Sequence, residues 1–270
     1  MRKKIFPIIG AIVLALLLVP RRADIVPAFS PLTLYSNNGI SVTLQDASAS
    51  GLTLHIDNQS SDDIHVYGES AVINGFTFPA LLMQDVYTGK TADTEIHIDS
   101  AALEAANVST IADMSLYIHI TGESNNDIYS GRIGVTIDST YSQPVDSSGV
   151  IVYSSDDYFI AARAYDLDTP SRAALIYVEN NTDNRLSLTC NSLSINGVML
   201  DGMFTMQNVE PHTRAQFVLD VHTFSAFNNS SSEVSHVDDM SIQLGLTPWN
   251  GNSFSTADTF SSNAVQIIGA

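Results

Sequence analysis

Residues Ile56–Gly75 read IDNQSSDDIHVYGESAVING, and 122 positions later Val178–Gly197 read VENNTDNRLSLTCNSLSING. Five positions are identical: Asn58/Asn180, Ser70/Ser192, Ile73/Ile195, Asn74/Asn196 and Gly75/Gly197. Many of the others are like for like, such as Asp57/Glu179, Ile64/Leu186 and Val66/Leu188. After a small insertion the match resumes, Asp113-Met114-Ser115-Leu116 against Asp239-Met240-Ser241-Ile242. A fixed-offset likeness of this length marks an internal duplication, and that reading governs the whole fold.

Working outward from these stretches, the apolar residues recur with period two. Leu52, Leu54 and Ile56 alternate with Thr53, His55 and Asp57; Leu116, Ile118 and Ile120 alternate with Tyr117 and His119. The second copy repeats this with Ala174, Ile176 and Val178, and with Ile242, Leu244 and Leu246, while Ile96 and Ile98 match Phe217 and Leu219. Such strands bury one face and wet the other, as antiparallel sheets do. Asn-Gly pairs at 38–39, 74–75, 196–197 and 250–251 supply the positive φ of tight hairpins. The one helical signal is Asp99–Ala106, an N-cap followed by good helix formers, placed where a crossover between sheets would lie.

The expected fold is all-β: two tandem immunoglobulin-like β-sandwich domains after an N-terminal apolar helix. The expected organisation is a signal or anchor at 1–22, a stalk at 23–31, repeat one at 32–138, a linker at 139–147 and repeat two at 148–270. The pattern Val178, Asn180, Thr182, Asp183, Leu186, Leu188 and Ile195-Asn196-Gly197 resembles the immunoglobulin-like modules of Gram-positive surface proteins. The first copy departs from it with Ser60-Ser61 for Thr182-Asp183. The resemblance implies a sandwich fold outside the cell, often in tandem behind a signal or anchor. It transfers no catalytic residue, because a strand-turn-strand pattern speaks for fold and not for function.

The N-terminus, MRKKIFPIIGAIVLALLLVPRR, sets three cations before an apolar run, the layout of an export signal. Arg21 and Arg22 stand where a cleavage site would want small residues, which favours an uncleaved anchor in the membrane through residues 5–20. Secretion after cleavage is the alternative. The domains are then expected outside the cell, and no cysteine follows the run for lipid attachment.

Beyond residue 22 only Lys90, Arg132, Arg163, Arg172, Arg185 and Arg214 offset 29 acidic residues. A surface that acidic repels phosphate backbones and excludes nucleic acid as a partner. A single cysteine, Cys190, rules out an internal disulfide framework. Nucleophile elbows, zinc-protease motifs, P-loops and dinucleotide fingerprints are absent, so no enzyme activity and no cofactor is expected.

Four histidines, His55, His65, His97 and His119, occupy outward strand positions in repeat one. His65 and His119 on neighbouring strands are candidate metal ligands, with His55 and His97 expected close together on the other sheet; a lone pair falls short of the usual three or four ligands. Tyr67, Tyr117 and Tyr177 alternate outward, with Trp249 in a Pro-Trp-Asn-Gly turn. Tyr67 and Tyr117 are the candidate ligand-binding residues, suited to a cell-surface glycan or protein. Acidic pairs such as Asp62-Asp63 and Asp156-Asp157 lack the spacing of a calcium loop and read as solvated turns.

Overall fold

In the computed structural model, residues 30–48, 51–123, 126–166, 174–219, 237–249 and 260–268 are described. The apolar segment at 5–20 and most of the stalk lie outside them, as does the Asn250-Gly251 turn. Among the described residues no helix is long and apolar enough to cross a membrane.

The described residues form an all-β structure with three sheets and one short helix. The first half runs β1 (Leu32–Asn37), β2 (Ile40–Ser48), β3 (Gly51–Asn58), β4 (Ile64–Ile73), β5 (Phe76–Val86), β6 (Lys90–His97), α1 (Ser100–Ala105), β7 (Asp113–Gly122) and β8 (Asp127–Thr136). The second half runs β9 (Val150–Ser154), β10 (Tyr158–Ala164), β11 (Ala174–Asn180), β12 (Arg185–Ile195), β13 (Val198–Val209), β14 (Thr213–Leu219), β15 (Met240–Trp249), β16 (Phe260–Ser261) and β17 (Val265–Ile268).

The strand order of the first half recurs in the second. β1-β2-β3-β6 has its counterpart in β9-β10-β11-β14, and β5-β4-β7-β8 in β13-β12-β15-β16, with β17 also on β15. The two identical asparagines carry equivalent bonds. Buried Asn58 donates to the carbonyls of Asp62 (2.8 Å) and Val86 (2.9 Å), and Asn180 to those of Asn184 (2.7 Å) and Val209 (3.1 Å). Asn74 Oδ1 accepts from the Ala112 and Asp113 amides, and Asn196 Oδ1 from those of Asp238 and Asp239. The buried Asn58, Asn74 and Asn180 side chains satisfy backbone groups that burial would otherwise leave without water, while the Asn196 bonds are exposed. Asn38-Gly39, Asn74-Gly75 and Asn196-Gly197 all have both φ angles positive, as two-residue hairpins need.

Two sheets face each other across each core. In the first, Leu44 and Leu54 meet Val66 and Ile118; in the second, Ile160 and Ile176 meet Leu188 and Leu246. The helix α1 carries the chain from one sheet to the other, its N-cap Asp99 accepting from the Ala101 amide. Cys190 lines the second core, where burial pushes its thiol up to about 12. The register differs from the sequence alignment at one strand. Ile96 stands opposite Leu52 and Leu219 opposite Ala174, so Leu219 and not Phe217 is the counterpart of Ile96. A slip of two preserves the inward face, which is why alternation alone did not reveal it.

The halves are joined edge to edge. β14 runs parallel to β5, with the Arg214 amide bonded to the Gly75 carbonyl at 2.9 Å, and the result is one eight-stranded sheet. Unlike sheets meet there: the second sheet of the first half and the first sheet of the second. On β11, Ile176 and Val178 enter the second core while Tyr177 enters the first. Alternate residues of a strand face opposite sides, so the two cores lie on opposite faces of the shared sheet. Tyr177, expected to point into water, is therefore buried beneath the first half, edge-on to Phe159 at 6.2 Å.

The segment between β8 and β9 contains no strand and is fastened at both ends. Gln143 bonds to Asn74 and to the Asn107 carbonyl, and Asp146 pairs with Arg163 on β10.

Candidate functional site

The staggered layering leaves an inside corner. The outer face of the first half's sheet forms the floor, and the end of the five-stranded sheet, rising on that same side, forms a wall. A cleft of about 380 Å³ occupies the corner.

Across the floor, Ser130 of β8 stands opposite His119 of β7, His119 opposite Tyr67 of β4, and Tyr67 opposite Met83 of β5. One step along, Tyr117 stands opposite Ser70, where a bulge in β4 lets Glu69 project beside the row. The wall is Arg185 and Trp249, which are register partners on β12 and β15. The Arg185 guanidinium lies 4.8 Å from the centroid of the Trp249 ring, a cation–π contact.

Beneath the cleft lies a buried polar seam. Glu210, 1% exposed, accepts from Ser70 Oγ and pairs with Arg185 at 2.9 Å. Its amide donates to Thr77 Oγ1, and its carbonyl accepts from Thr213 Oγ1 at 2.7 Å. Arg185 also reaches Glu69 at 3.1 Å, so one guanidinium ties two carboxylates and an indole across the junction. A buried charge persists only when paired and hydrogen-bonded in this way. Burial raises the Tyr117 phenol above its usual range. The Glu210 charge pushes the same way, against the opposing pull of Arg132 and Arg185, so the hydroxyl stays a donor.

The structure brings the candidate residues Tyr67, Tyr117 and His119, and the flagged Trp249, to one site. The wall residue Arg185 and the buried Glu210 carried no sequence signal, because their roles exist only once the halves dock. His65 and His119 do lie on adjacent strands, displaced by two residues; His65 faces Thr121. Each is engaged by its own aspartate, His65 by Asp85 at 2.6 Å and His119 by Asp127 at 2.8 Å. His55 likewise pairs with Asp93, and it lies four residues along from Gly51, the partner of His97, so that expected proximity is absent. Among the described residues no three potential ligands gather for a metal.

The floor continues outward along β5 into Leu81 and Met83, both largely exposed. Compared with known proteins, the chain matches no family model and no curated sequence.

Proposed function

We propose that the chain is a non-enzymatic binding protein of the bacterial surface, anchored through residues 5–20, in which two immunoglobulin-like sandwiches meet to form one ligand seat. The observation that carries this reading is the junction cleft: aromatic side chains from both halves converge on a concavity of ligand size. The extracytoplasmic placement rests on the basic and apolar N-terminus and on the acidic remainder. A pure spacer would need no such convergence. The non-enzymatic reading rests on the missing sequence signatures of catalysis, although the lining does set Ser130 opposite His119, itself paired with Asp127 at 2.8 Å.

Oxidative footprinting of the full-length chain mixed with Gram-positive cell envelopes tests the seat without presupposing its ligand. Protection of Tyr67, Tyr117 and Trp249, with Tyr87 still reactive, is the expected result. Equal reactivity of all four with and without envelopes overturns the seat and leaves a spacer.

A further inference from the structure

Taking the cleft as the ligand seat, we infer that the ligand is a neutral carbohydrate, bound with the C–H face of a sugar ring against Tyr67, Tyr117 and Trp249. A pyranose presents apolar C–H faces and a rim of hydroxyls, so it needs aromatic surfaces beside fixed donors and acceptors. The cleft offers both. Tyr67 is 38% exposed, with its partner across the strands, His119, and then Ser130 in the same row. The Tyr117 hydroxyl and the Glu69 carboxylate stand beside them. The volume of about 380 Å³ takes roughly two sugar rings.

Charge narrows the class further. Among the described lining residues Arg185 is the one arginine or lysine, committed to Glu69 and Glu210; Arg132, opposite Tyr117 on β8, lies just outside the lining and donates to Ser115 Oγ. An anionic ligand would compete with two carboxylates for it and would meet the field of a strongly acidic chain. A cationic ligand would meet the guanidinium itself. A neutral polyhydroxylated ring disturbs neither.

The second half supplies the control. The registers place Thr189, Gln243 and Gly245 where the first half has Tyr67, Tyr117 and His119. The same strands fold with small or polar residues at these positions, so the fold itself does not require the aromatic row.

Trp249 is the chain's sole tryptophan, so intrinsic emission reports on the cleft alone. The test titrates the full-length chain with neutral hexasaccharides of β-1,4-glucose, α-1,4-glucose, β-1,4-N-acetylglucosamine, mannose, xylose and galactose. Parallel arms use a hexagalacturonate and a pool of ten-residue peptides. The expected result is a saturable emission change with reduced acrylamide quenching for at least one neutral sugar. Tyr67→Thr and Tyr117→Gln, which borrow the second half's residues, should each weaken that binding about tenfold while circular dichroism stays unchanged. Silence of every neutral sugar at about 1 mM, or binding by Tyr67→Thr equal to wild type, overturns the sugar assignment. A response to the peptides or the uronate alone overturns it too, yet leaves the cleft as the seat; loss of the seat is read separately, from the footprint.

Discussion

His55 and Tyr177 occupy one position in two copies of the same strand, and they have opposite fates. His55 sits on the outside of the first half, paired with Asp93 at 2.6 Å. Tyr177 sits on the outside of the second half and is buried all the same, because the first half covers it. Burial pushes the Tyr177 phenol well above its usual range, with the Glu179 carboxylate that accepts its hydrogen bond pushing the same way. The difference teaches that duplication supplies two similar units, while the junction and its cleft arise where the copies stopped being equivalent. The seam residues Ser70, Thr77, Arg185 and Glu210, and the cleft residues above them, belong to that second stage.

The comparison breaks hardest at this pair. Tyr177→Ala should cost about 3–5 kcal/mol, the range for emptying a buried aromatic site, whereas His55→Ala should change stability by less than about 0.5 kcal/mol. Urea denaturation of both variants measures the contrast, and equal costs would mean that the first half does not cover Tyr177. Next comes Arg185→Leu, which leaves Glu210 buried without its cation. A loss of about 3 kcal/mol or more is expected, and reversal by the double variant Arg185→Leu/Glu210→Leu would show that the unpaired charge, not lost packing, is the cause.

The twin asparagines sharpen the equivalence that remains. Asn58→Ala and Asn180→Ala should each cost about 1–3 kcal/mol, because each strands buried carbonyls, and the two values should agree within the error of thermal melts. A cost in one copy alone would contradict the shared architecture.

How much of this was legible from residues follows the same division. Alternation at Leu52–Ile56 and Leu116–Ile120, and the Asn-Gly turns, are local, and local patterns predicted the strands, the hairpins and the crossover helix at 100–105. The inward register of β14 lies two residues from the one alternation predicts, since period two cannot see such a slip. Alternation places Tyr177 outside because it knows inside from outside within one sheet pair and nothing of a neighbour. The seam joins sheets of unlike order, so nothing in the self-alignment announces it. Tyr67, Tyr117 and His119 are legible as outward strand positions, but Arg185 and Glu210 look like any other charges.

The smallest effect concerns the segment linking the halves. Hydrogen bonds from Ser148 and Arg163 hold the Asp146 carboxyl down at about 2. A carboxyl depressed below its unfolded value of about 3.9 stabilises the fold above that pH and loses this contribution as pH falls toward about 2. The side chain is half exposed, so solvent limits the gain to at most about 1 kcal/mol. Asp146→Asn should therefore fall slightly short of wild type at pH 6 and converge with it near pH 2, as thermal melts across that range would record.

The central claim is that the halves are docked through a shared sheet in one fixed arrangement. Pulsed dipolar spectroscopy tests it directly, with spin labels at Tyr87→Cys in the first half and Val198→Cys in the second. Both sites are exposed, and the buried Cys190 stays unlabelled. The account predicts a single narrow distance peak that broadens in Arg185→Leu; a broad or many-peaked distribution in the otherwise unaltered chain would contradict it.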